Sequence, residues 1–198
     1  MNRESSGINA ENLLRRGRRL ELMTLTWNVV GVGVLAVAGF AARSVALSGF
    51  AVDSLIEIGA STVVLWELAD AQHARQHRAL TMIGSSFIAL AFYLAVQSSI
   101  VLAVGFRPHH SAVGIGWTAV TALVMFGLAA NKSRVGAALN NPVLRAEGRV
   151  TMIDAILATA VLVGLVLNAL AGWWWADPVA GYVILYYAVR EARASLSH

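Results

Sequence analysis

Cysteine is absent from the 198 residues. This excludes disulfides and thiolate metal sites and leaves oxygen and imidazole as the available metal donors. Charge is scarce as well: Asp, Glu, Lys and Arg make up 13% of the chain, against about a quarter in a soluble domain, while hydrophobic residues reach 58% and mean hydropathy is +0.65. A soluble globular fold does not fit that balance. No short apolar region with a small-residue cleavage site follows the polar, arginine-rich N-terminus, which argues against a cleaved signal peptide. No internal repeat is visible, which disfavours an inverted-repeat architecture. The apolar stretches contain no Ser/His or Cys/His combination, and the paired-aspartate motifs of an intramembrane protease are missing, so an enzyme is not expected.

What is present is a series of apolar stretches of about 20 residues, the length a helix needs to cross roughly 30 Å of hydrocarbon. The expected fold is all-α, an integral membrane bundle of six helices, with spans at 23–42, 45–68, 80–106, 113–130, 150–172 and 178–189. This divides the chain into a basic N-terminal segment (1–21), a six-helix transmembrane domain (22–192) and a short tail (193–198), with no C-terminal cytosolic domain. Asp177 is expected to cap the sixth helix, with Pro178 at its first position. Trp173, Trp174 and Trp175 precede it, as suits a membrane interface.

The pI of about 10.1 and net charge of +4 could suggest nucleic acid. The basic residues instead alternate as topology signals, with 13 of the 15 Lys and Arg on one side and only Arg43 and Arg107 on the other. By the positive-inside rule both termini face the cytoplasm, as expected for a multi-pass protein of the cell (inner) membrane. Nucleic acid is not an expected partner; the lipid bilayer is. Gly31, Gly33, Gly39, Gly59, Gly114, Gly116, Gly127 and Gly164 suggest close helix packing, although ordinary membrane-helix glycines would look the same.

Of the eleven acidic residues, eight fall at span boundaries, Glu21 and Glu147 among them. Asp53, Glu57 and Asp154 remain inside. Asp53 and Glu57 lie about 15 Å from either end of span two, and their i,i+4 spacing puts both on one face. A centrally placed charge costs at least about 2.5 kcal/mol on insertion scales, and two adjacent like charges cost more. Lys132 and the arginines are assigned to the boundaries, so no basic partner stands at that depth. Protonation and cation binding remain as remedies. A divalent ion that displaces protons from crowded carboxyls is the chemical core of metal/proton antiport. Asp154 lies only five residues, about 7.5 Å, beyond Arg149; it is therefore shallower than the pair unless its helix begins earlier, and a pairing with Arg149 is the alternative. Asn28 in span one offers a neutral oxygen or an interhelical hydrogen bond. His73 and His77 after span two are spaced i,i+4 and could bind zinc if the helix continues, or could be part of a solvated basic loop with Arg75 and Arg78. His109 and His110 read as loop residues of the outer side.

The segment AVDSLIEIGAS (51–61) resembles the second transmembrane helix of the cation diffusion facilitator family, which carries an acid-x-x-x-acid metal pair there. LRAEGRVTMIDA (144–155) resembles the start of that family's fifth helix, where His-x-x-x-Asp supplies the other ligands, and the Asp177-Pro178 start of span six is similar too. The resemblance implies a compact, membrane-only member that exports a divalent cation by proton-coupled alternating access, with zinc as the default cargo, homodimer formation through the membrane part, and no resident cofactor. Its metal ligands would be Asp53, Glu57 and Asp154. Val150 stands where the family's zinc pattern has His, so the set is all oxygen and suits manganese or another hard divalent ion as well. The competing expectation is a non-transporting membrane partner with a degenerate site; a channel is a further one.

Overall fold

A computed structural model describes residues 2–42, 44–69, 75–105 and 111–196, and these fold as six helices: α1 (Asn2–Ala42), α2 (Val45–Glu67), α3 (Gln76–Val104), α4 (Ala112–Ala138), α5 (Pro142–Ala171) and α6 (Ala176–Leu196). Local chemistry sets the ends. Ser44, Ser111 and Asn141 sit in extended conformation just before α2, α4 and α5, and their side chains accept from Leu47 N (3.2 Å), Gly114 N (3.0 Å) and Leu144 N (2.8 Å). Each satisfies one of the amides that a helix start leaves free. Gly105 and Gly172 close α3 and α5 at φ 62° and 68°, a left-handed conformation that costs a residue without Cβ little.

The all-α membrane bundle expected from the sequence is observed, but the helices outrun the apolar windows. By length and composition α1 from Ala10, α3, α4 and α5 can each cross a bilayer, and α2 and α6 complete the bundle. At 1.5 Å per residue the 41 residues of α1 extend about 60 Å, so residues expected as a separate basic segment continue the first helix. The fourth helix runs eight residues past the expected end, and the fifth starts at Pro142 rather than near Val150. The sixth starts at Ala176, so Asp177 lies in its first turn rather than capping it.

Packing pairs α1 with α2, α3 with α6 and α4 with α5, while α5 also touches α2 and α3 and is the most enclosed helix. Large apolar side chains such as Phe40, Phe92, Leu123 and Leu170 point outward, as a lipid solvent allows. The glycines divide. A Cβ on Gly39 would lie 2.7 Å from Ser48 Oγ, so α1 and α2 touch there, whereas Gly33, Gly59, Gly116 and Gly127 meet nothing within 4 Å. Two tight approaches were not anticipated: a Cβ on Gly136 would lie 2.9 Å from Arg145 N, and one on Gly148 would lie 2.6 Å from Ser133 Oγ and 3.0 Å from Ser133 N, so α5 is fixed directly on α4.

Candidate cation site

Three helices each carry a buried polar stripe at helical spacing. On α2 it is Asp53, Glu57 and Ser61; on α5, Glu147, Thr151 and Asp154; on α1, Glu21, Thr24 and Asn28. All nine residues are 3% exposed or less. Spacings of three and four keep each stripe on one face. Because α2 and α5 run in opposite directions in chain order, Asp53 and Glu57 meet Asp154 at one level, and Ser61 meets Glu147 at another, where Ser61 Oγ donates to Glu147 Oε1 at 3.1 Å. The early start of α5 places Asp154 twelve residues, about 18 Å, along its helix. Its shallowness in the sequence reading came only from the late expected start.

The Asp154 carboxyl lies against those of Asp53 and Glu57. Apart from these mutual contacts, Asp53 Oδ2, both Glu57 oxygens and both Asp154 oxygens are buried with no hydrogen-bond partner among the described residues. A pocket between α2, α3 and α5 joins the three acids to Ser86, Phe87, Leu90 and Val150. Val150, at the position where the family pattern has His, therefore does line the pocket, and it supplies a methyl surface there. Among the described residues no three His, Asp or Glu side chains stand in a finished metal cage; the carboxyls share one pocket without enclosing a common centre. Orphaned hard oxygens in low dielectric can take up protons or a hard divalent ion, and a small rotamer change separates these uses. One turn from Asp53 and Asp154, away from Ser61 and Glu147, Phe50 and Leu157 line a second cavity with Gln97, Ser98 and Pro178.

The other expected residues lie apart from this pocket or serve local structure. Asn28 is 1% exposed, and its Nδ2 donates to Thr24 O (3.1 Å) within α1. His77 is exposed in the first turn of α3, about 14 Å along the helix from Ser86. His73, His109 and His110 lie outside the described residues.

Contrary to the expectation that no basic group stands at this depth, a lysine does. Lys132, the chain's single lysine, is fully buried, with Nζ 3.0 Å from Glu21 Oε2 and 3.1 Å from Glu147 Oε1, and it donates to Thr151 Oγ1 at 3.0 Å. Glu21 and Glu147 are likewise 0% exposed, so three residues taken as boundary charges form an ion-pair cluster inside the bundle. The cluster sits seven residues, about 10 Å, from Asp154 along α5. Its charge still reaches Glu57 and Asp154. The sequence signal was the spacing of Glu147, Thr151 and Asp154, which reads as one helical face once α5 is allowed to begin at Asn141-Pro142.

A match to the cation efflux transmembrane domain covers residues 22–197. The chain is also 28% identical over 182 residues to an uncharacterized transporter of Synechocystis sp., an alignment that covers 84% of this chain and 57% of the relative. The chain thus spans little more than half the length of that relative. With six helices in place and the family match running through all of them, the chain belongs to the cation efflux family, which indicates a membrane transporter and not an enzyme.

Proposed function

We propose that this chain exports a divalent cation from the cytoplasm, holding the cargo on Asp53, Glu57 and Asp154 and returning protons through the same carboxyls. The observation that carries this reading is the meeting of three acids, each 3% exposed or less, with five oxygens that no donor satisfies. Three formal negative charges in a bundle interior require compensation. Protons and a divalent ion are alternative ways to supply it, and their exchange couples the two fluxes. The two cavities on the seam around α5 support alternating access: cargo leaves the acid pocket past Phe50 and Leu157 toward the end of the bundle that carries fewer arginines.

Zinc is the cargo that the family resemblance supports; the all-oxygen donor set and Val150 support manganese equally. The same reading places the protein in the cell (inner) membrane with both termini cytoplasmic, as a homodimer formed by the membrane helices. The deciding measurement is zinc and manganese flux into proteoliposomes of purified protein, with and without a pH gradient. Gradient-dependent uptake that disappears in Asp53→Asn and in Asp154→Asn supports antiport. Passive flux indifferent to the gradient identifies a channel, and absence of flux in the wild type identifies a non-transporting partner, the reading that the missing imidazole at Val150 favours.

A further inference from the structure

The Lys132 cluster has the composition of a cation site that is already filled. Glu21 and Glu147 contribute carboxylates from α1 and α5 and Thr151 a hydroxyl from α5, with the ammonium 3.0 to 3.1 Å from all three, while the Ser61 hydroxyl of α2 completes the cluster by donating to Glu147 Oε1 at 3.1 Å. Glu147 Oε2 is buried and accepts no hydrogen bond, so the cluster holds a donor atom that the lysine does not use. Two carboxylates against one ammonium leave a formal charge of −1, and an ammonium replaced by a divalent ion would leave none. The cluster also lies on the same polar helix faces as the acid pocket. The stripes of α2 and α5 run from Asp53 and Asp154 to Ser61 and Glu147, and they continue toward the end of the bundle where the arginines concentrate.

We propose that Lys132 is a tethered cation occupying a second cation site, formed by Glu21 and Glu147 with the Ser61 and Thr151 hydroxyls, and that a divalent ion takes that place when the ammonium is withdrawn. Where the acid pocket is the transport site, as proposed above, this second site is the stage that cargo passes on its way in, and the lysine closes it between turnovers. A compact ammonium on a flexible four-carbon stem can leave and return without rearranging the backbone. No covalent step is involved, and the ion and the lysine compete for the same oxygens.

The test counts bound manganese on the purified full chain in detergent by equilibrium dialysis. Lys132→Gln substitutes a neutral, slightly shorter polar side chain and so removes the tethered charge. The expected result is one more bound ion per chain in K132Q than in the wild type, with the extra ion lost in K132Q/E147Q and no extra ion in K132R. The D53N/D154N background separates the two proposals: K132Q/D53N/D154N retains the extra ion even if the acid pocket binds nothing in any variant, in which case the transport reading fails and this one stands. A K132Q count equal to wild type overturns the proposal. If K132Q unfolds without metal, it is prepared with manganese throughout; recovery of folded protein supports the second site, and failure to recover refutes it.

Discussion

Replacing Lys132 by Gln should destabilise the bundle far more than replacing either of its acidic partners, and the size of the difference follows from counting charges. The wild-type cluster carries −1 in sum, E147Q or E21Q carries 0, and K132Q carries −2. At 3.0 Å and an effective dielectric of about 20, one ammonium–carboxylate contact is worth about 5.5 kcal/mol of gross attraction (332/(20 × 3.0)). Most of this is offset by the desolvation of both ions. What survives in K132Q is the exposed penalty: two buried carboxylates lose their common cation, and loss of one partner from a buried pair costs about 3–5 kcal/mol. In E147Q the amide oxygen can still accept from Lys132 and Ser61, and Glu21 still balances the ammonium, so the expected loss is only about 1 kcal/mol, that of an ordinary hydrogen-bond change. Circular dichroism during SDS titration of the detergent-solubilised protein measures both. Manganese at about a hundred times its dissociation constant should return about 2.7 kcal/mol to K132Q through selective binding to the folded state, and little to E147Q. Equal losses in K132Q and E147Q would refute the charge-sum reasoning.

Other perturbations test other parts of the molecule. Glu57→Gln should abolish gradient-driven flux while leaving far-UV circular dichroism unchanged, because it removes one of three charges that the fold holds without a basic partner; retained flux would remove Glu57 from the ligand set. Val150→His places an imidazole in the acid pocket and should raise the zinc-to-manganese flux ratio, and an unchanged ratio would count against that side chain's access to the cargo. Gly148→Ala drives a methyl to 3.0 Å from the Ser133 backbone N and should cost about 1–3 kcal/mol through overpacking. Gly127→Ala, with open space around it, should stay within about 0.5 kcal/mol of wild type in the same titration.

Helix number, helix type and the Asp53–Glu57 face were legible because they depend on apolar length and on periodicity, both local properties. Asp154 was legible as a third interior acid, but its place beside the pair was supported mainly by resemblance. Its depth depends on where α5 begins, and the start signal at Asn141-Pro142 precedes the apolar window by several residues that read as polar boundary. Lys132 was missed for a related reason. Counting basic residues as topology markers assigns each one to a membrane face, but α4 continues past its apolar stretch and carries Lys132 back against Glu147. Whether a charge two residues beyond a hydrophobic run is solvated or paired is decided by the neighbouring helix, and Gly148 settles it here by letting α5 approach α4 within backbone contact. The glycine that mattered for this was outside the set that the span boundaries suggested, because residue 148 fell in what reads as a loop.

The two buried clusters solve the same electrostatic problem differently, and the difference bears on which one releases its ion. Burying a carboxylate is costly unless a cation or proton accompanies it. Glu21 and Glu147 have their cation built in, so the bundle can close around them with no ion from outside. Asp53, Glu57 and Asp154 have no such partner among the described residues, so their formal −3 is balanced only by species that arrive and leave. A lysine in that pocket would stabilise the fold and also compete permanently with cargo. Its position about 10 Å away, on the same seam, keeps the stabilising charge close enough to be felt by Glu57 and Asp154 while leaving their oxygens free. That separation supports assigning exchange to the acid pocket and closure of the route to Lys132. It also makes an inverse expectation testable: moving the ammonium into the pocket, by Val150→Lys, should raise stability in the SDS titration and abolish flux together. A V150K protein that still transports would show that the pocket does not need its charge balanced from outside.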